Sequence, residues 1–152
     1  MGGKGEKYSS ILEQYQSKAE FFLCACLQKN KAGSNIDLTP GGLFNIREWN
    51  NMQYVSSTAF LLAVYSDYLT AAKQQLKCPT ALVEPSELLK LAQFQGDYIL
   101  GANPRATSYL VGFGKTYAQQ VHHSVFKQST SSSTHPRHQS TSHHSTSYRL
   151  YL

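Results

Sequence analysis

Apolar residues recur at helical spacing near the start of the chain. Tyr8, Ile11, Leu12, Tyr15, Ala19, Phe22 and Cys26 fall three or four positions apart, so residues 7–28 are expected to form an amphipathic helix. Phe21 and Leu23 widen the stripe, which predicts neighbours on more than one side. Residues 54–72 give a second expected helix. Val55, Ala59, Phe60, Leu61, Leu62, Ala63, Val64, Tyr65, Tyr68 and Leu69 make it apolar almost all round. Such a helix belongs in an interior. So short a chain offers few elements to surround it, and the pattern implies packing partners outside these 152 residues.

The third expected helix covers residues 85–100. Pro85 suits a first helical position, where a missing N–H costs nothing, and Glu84 and Glu87 suit the positive end of the helix dipole. Leu88, Leu91, Ala92, Tyr98 and Ile99 form its inner stripe, and Gly101 is placed to cap its C-terminus. Residues 29–53 read as loop. Within them, Thr39-Pro40-Gly41-Gly42 predicts a tight turn, because Pro fixes one φ and the two glycines admit positive φ. Trp49 follows within this region.

Composition sharpens the picture at one end. The formal charge of +5 arises beyond residue 97, because residues 1–97 hold all nine acids and nine Lys or Arg. Residues 98–152 hold Arg105, Lys115, Lys127, Arg137 and Arg149, all six His and no acid. These positives are scattered, without the aromatic-interleaved basic stripe of a nucleic-acid binder, so no nucleic-acid partner is expected. No apolar run is long enough for a membrane-spanning helix. The opening residues 1–10 carry no apolar signal core, and Glu6 breaks the N-myristoylation pattern. Cys24, Cys26 and Cys78 are odd in number and lack zinc-knuckle spacing, so all three are expected to be buried free thiols.

Composition changes abruptly at Ser124. Thirteen of the last 29 residues are Ser or Thr, four are His and none is acidic, which predicts a disordered low-complexity tail over residues 124–152. A frame shift or a misplaced splice junction would leave such a change. Nothing fixes the geometry of His135, His138, His143 and His144, so no metal site is assigned to them.

Several ordered motifs then carry a resemblance. They are Ala19-Glu20-Phe21-Phe22, Thr39-Pro40-Gly41-Gly42-Leu43, Trp49-Asn50-Asn51-Met52-Gln53-Tyr54-Val55-Ser56 and the segment from Phe60 to Leu69. They continue through Asp97-Tyr98-Ile99-Leu100-Gly101, Asn103-Pro104-Arg105-Ala106-Thr107-Ser108-Tyr109, Val111-Gly112-Phe113-Gly114 and Val121-His122-His123. Together they resemble the plant endo-1,4-β-glucanases of glycoside hydrolase family 9, from about residue 7 to residue 123. The resemblance implies an all-α fold, an incomplete (α/α)6 barrel fragment over residues 1–123, taken from the later middle of the catalytic domain and begun at an internal Met. It also implies a secreted, cell-wall address, which these residues supply no signal for, and β-1,4-glucan as the partner.

The family hydrolyses glycosidic bonds with inversion, which needs two carboxyl groups about 6.5–9.5 Å apart with a water between them. Its base lies in an Asp-Ala-Gly-Asp motif that is absent here, and its acid Glu lies in a segment this chain does not match. No acid follows Asp97. Glu48, Asp67 and Asp97 receive neither role. The resemblance leaves parts of a substrate cleft. His122 matches the family's active-site His, with His123 beside it as a substrate contact. Trp49 is the expected sugar-stacking platform and Tyr109 a weaker one. Three departures from the family pattern are Ser124 in place of an Arg, Thr116 in place of a basic or amide residue, and Ala102 in place of an acid. No cofactor is implied and no acid-rich loop supports a calcium site. The reading set against a glucanase segment is a non-catalytic helical module that binds a partner or a glucan.

Overall fold

A computed structural model describes residues 4–117 of the chain. His122, His123, Ser124 and the expected tail lie outside the described residues. Three helices dominate: α1 (Lys4–Cys26), α2 (Asn51–Ala72) and α3 (Pro85–Leu100). A small antiparallel hairpin, β1 (Leu76–Lys77) and β2 (Leu82–Val83), sits between the last two, with Leu76 paired to Val83 and Lys77 to Leu82.

All three helices predicted from periodicity are present, with boundaries shifted by a few residues. The α2 helix begins at Asn51, because Asn50 stands at φ 53° and ends the loop in a left-handed residue, a conformation Asn tolerates. The start of α3 is as expected: Pro85 occupies the first turn, and the Glu84 N–H donates to Glu87 Oε1 at 3.4 Å. Gly101 closes the helix at φ 117°, sending its N–H to the carbonyls of Asp97 and Tyr98.

The core lies where α2 and α3 pack together. Val55, Leu62 and Leu69 of α2 are buried against Leu88 and Ala92 of α3, with Leu76 and Val83 of the hairpin and Leu23 and Phe44 completing it. Ser66 donates to the Pro85 carbonyl at 2.7 Å and ties the middle of α2 to the start of α3. The described residues cover only one face of α2. Phe60, Val64 and Tyr68 point outward, and Phe60 is 71% exposed. The expected excess of apolar surface is therefore present, and within the described residues it is bare. The expected covering of α1 holds only at its C-terminal end. Leu23 to Cys26 are buried, whereas Tyr8, Ile11, Leu12 and Tyr15 are exposed, because no described element folds over them.

The cysteine expectation is corrected. Cys24 and Cys78 form a disulfide across 54 residues, with Cα atoms 5.5 Å apart, and only Cys26 is a free, buried thiol. The odd count concealed one pair plus a remainder. The partners lie far apart in sequence and meet because the hairpin returns the chain to the end of α1. Thr80 reinforces this closure, since its hydroxyl donates to the Lys29 carbonyl at 2.8 Å.

Candidate functional site

A cavity of about 530 Å³ opens at the end of the α2–α3 pair. Three segments wall it: Thr39, Leu43, Asn45, Arg47 and Glu48 from the loop before α2; Asn51 and Met52 from the first turn of α2; and Tyr98, Arg105 and Tyr109 from the end of α3 and the loop beyond.

The loop before α2 is built as a tight reversal. The Thr39 N–H donates to the Leu43 carbonyl at 2.8 Å, and the Gly42 N–H donates to the Thr39 carbonyl at 2.8 Å. Of the two glycines, Gly42 has positive φ, at 89°. Gly41 serves a different need: a Cβ there would lie 2.6 Å from the Tyr98 hydroxyl. One glycine supplies the turn and the other the close approach to α3.

Two buried side-chain amides hold the returning strand of this loop. Gln95 Oε1 accepts from the Phe44 N–H at 3.1 Å, and Gln95 Nε2 donates to the Gly42 carbonyl at 3.0 Å. Asn51 Nδ2 donates to the Phe44 carbonyl at 2.7 Å, while Asn51 Oδ1 accepts from the N–H groups of Ile46 and Arg47 at 3.0 and 3.2 Å. Buried backbone groups need such partners, and here side chains of two helices supply them.

Asn103 does the same on the opposite wall. Its Nδ2 donates to the carbonyls of Tyr98 and Thr107 at 2.8 and 2.7 Å. Its Oδ1 accepts from the N–H groups of Arg105 and Thr107 at 3.1 and 3.3 Å. This fold-back sets Arg105 in the cavity wall. The Tyr109 N–H donates to the Ile99 carbonyl at 2.8 Å, which pins Tyr109 against the end of α3. Its ring stacks on Tyr98, with centroids 6.4 Å apart and planes 13° from parallel. Burial raises the Tyr109 phenol above its ordinary value, and the adjacent Tyr98 adds to this while Arg105 opposes it.

The expected site residues divide accordingly. Tyr109 is half-buried in the cavity wall. Trp49 is 58% exposed, in the bend between two wall residues, Glu48 and Asn51, and does not itself line the cavity. His122 and His123 lie outside the described residues. Asp67 and Asp97, given no catalytic role, are exposed and away from the cavity, whereas Glu48 lines it. Sequence reasoning missed Arg47, Arg105, Asn45 and the three structural amides. Arg105 had a signal in the Asn-Pro-Arg loop motif, whereas an amide inside an apolar helix period, as at Gln95, has none. Among the described residues no group of three His, Cys, Asp or Glu could hold a metal ion, and no described helix is long and apolar enough to cross a membrane.

The family model for glycosyl hydrolase family 9 matches residues 2–148. The chain belongs to this family. The match passes the composition change at Ser124. Among curated relatives of this glycosyl hydrolase family 9 chain, it is 56% identical over 122 residues to Endoglucanase 13 of Oryza sativa subsp. japonica, covering 80% of this chain and 19% of that protein. It is 56% identical over 135 residues to Endoglucanase 5 of Arabidopsis thaliana, covering 85% and 21% respectively. The chain thus spans about a fifth of the length of these relatives. A solved structure of endoglucanase CelQ from Clostridium thermocellum complexed with cellotriose is 36% identical, with a TM-score of 0.47 over 60% of this chain and 14% of that one.

Proposed function

We propose that these residues are one wall of the substrate cleft of an endo-1,4-β-glucanase, which hydrolyses internal β-1,4 bonds of cellulose and related glucans with inversion. The observation that carries this reading is the cavity itself, in a chain of this family: two Arg, a Glu and two Asn line it beside the stacked pair Tyr98 and Tyr109. Planar donors and acceptors suit the ring of hydroxyls around a glucose unit, and aromatic faces suit its apolar C–H faces. Trp49 is the platform outside the cavity, with His122 and His123 as further sugar contacts.

The 152 residues hold neither carboxylate of the family's catalytic pair, so the chain alone is inactive. Loss of one member of such a unit typically costs several orders of magnitude in rate. Closure of a complete (α/α)6 barrel over the bare faces of α1 and α2 supplies the rest of the cleft. The cell-wall address gains support from the Cys24–Cys78 disulfide, which persists in oxidising, extracellular surroundings.

A second reading, a helical module that binds a partner without catalysis, is favoured by the outward Phe60, Val64 and Tyr68. Two measurements decide between them. On the glucan reading the purified chain is expected to release no reducing sugar from carboxymethyl-cellulose, while cellotetraose is expected to change the fluorescence of Trp49, the single Trp of the sequence. Absence of any cellotetraose response sinks the glucan reading. Sugar release abolished by His122→Ala sinks the account of the missing carboxylates.

A further inference from the structure

The geometry points to Gln95 as a positioning residue for the Trp49 bend, acting from behind the cleft wall without touching the cavity. This inference rests on the glucan-cleft reading for its ligand and on the structure alone for its mechanics.

Gln95 is fully buried in α3, a position that an apolar residue would fill by periodicity. All the hydrogen bonds its side chain makes here run to backbone of the loop: it receives the Phe44 N–H and donates to the Gly42 carbonyl. Phe44 is itself fully buried, and its carbonyl is taken by Asn51. The Phe44 peptide groups are therefore gripped from both sides, by α3 on one and α2 on the other. Downstream, Asn51 Oδ1 holds the N–H groups of Ile46 and Arg47. Only Glu48, Trp49 and Asn50 remain between that clamp and the first helical residue, so the bend carrying Trp49 is short and fixed at both ends. A stacking platform must hold its ring at a set angle before the sugar arrives, otherwise binding has to order it.

An apolar side chain at position 95 would fill the same space and leave the Phe44 N–H and Gly42 carbonyl unpaired. Release of the Phe44 N–H removes one of the two grips on the segment that leads into the bend and leaves it held by Asn51 alone. Asn51 lines the cavity and could contact sugar directly, so its replacement mixes two effects. Gln95 does not line it, which makes it the cleaner test.

The test uses the full 152-residue chain and Trp49 as the reporter. Time-resolved fluorescence anisotropy measures local motion of the indole, and a cellotetraose titration measures affinity. Both are made well below the unfolding midpoint. In Gln95→Leu the indole moves more freely and cellotetraose binds about tenfold more weakly, the equivalent of about 1.4 kcal/mol. Val83→Ala, a buried truncation in the hairpin, lowers stability but leaves both readouts as in the parent chain. Gln95→Glu covers the case in which Gln95→Leu does not fold. Its carboxylate can still accept from Phe44 but cannot donate to Gly42, and burial raises its pKa. Affinity and indole order are then poor at neutral pH and recover on acidification, a profile absent from the parent chain.

Gln95→Leu with parental anisotropy and affinity overturns the inference, as does equal loosening in Val83→Ala. A parent chain without cellotetraose response overturns the glucan reading alone, and the anisotropy still decides the positioning role.

Discussion

Phe44 and Gln95 are 51 residues apart in the chain, yet the N–H of the first ends on the side-chain oxygen of the second at 3.1 Å with both residues fully buried. The contact couples a loop of the cavity wall to the interior of α3. Gln95→Leu strands a buried donor, the Phe44 N–H, and a part-buried acceptor, the Gly42 carbonyl, at about 1–3 kcal/mol for a buried group and less for the other. The expected loss of stability is about 2–4 kcal/mol on that basis, measured by urea unfolding. A smaller loss than in a surface variant such as Lys90→Ala would contradict the assigned burial.

Reduction of the Cys24–Cys78 disulfide is expected to lower stability by about 2–4 kcal/mol, because the unfolded chain regains the freedom of a long closed loop. Cys78→Ser should match the reduced parent chain, and adding dithiothreitol to this variant should change nothing further. A dithiothreitol effect in Cys78→Ser would implicate some other group.

Burial pushes the Cys26 thiol from an ordinary 9.0 up to about 12. The unfolded chain therefore ionises this group first as the pH rises. Its contribution to stability is intact below about pH 9 and is lost between there and about pH 12. Burial and the Glu20 contact raise the Tyr65 phenol as well, and its contribution falls away from a higher starting point. Alkaline unfolding curves of the parent chain and Cys26→Ala should diverge in that window. In the folded chain at pH 8, iodoacetamide should leave Cys26 unmodified.

Gly41 and Tyr98 are predicted to be coupled. A Cβ at position 41 would meet the Tyr98 hydroxyl at 2.6 Å, so Gly41→Ala must displace a ring that stacks on Tyr109. The expected cost is about 1–3 kcal/mol, typical of overpacking. Tyr98→Phe removes the obstructing oxygen, so the double variant should regain part of that loss. Strict additivity in the cycle would show that the two sites do not touch.

Much of this was legible in the chain. Periodicity marks all three helices, and Pro85 and Gly101 mark both ends of α3. The apolar circumference of α2 foretold surface that the described residues do not cover. Tyr109 was singled out from a motif, and it lies in a cavity wall. What escaped was mostly non-local. Cys24 and Cys78 are ordinary apolar positions until the hairpin brings them together. Gln95 and Asn51 look like breaks in an apolar pattern, and only the path of the loop shows which peptide groups they serve. Arg47 and Arg105 line the same cavity from segments far apart in the chain, which depends on how α2 and α3 pack.

Phe60→Ser tests the bare face of α2. The side chain is 71% exposed, so the substitution should change stability, measured by urea unfolding, by no more than about 0.5 kcal/mol. A large loss of stability would mean that this face is covered.

The bond from Cys24 to Cys78 also makes a covalent ring of everything between them, and Phe44, the Trp49 bend and all of α2 lie inside it, with Gln95 gripping it from outside. A protease that cuts once within that ring produces no separate pieces. The nicked molecule keeps its mass apart from one added water and separates into two chains only after reduction. An exposed bend beside a cavity is an easy target for a protease, and here a single break there leaves both cavity walls still joined.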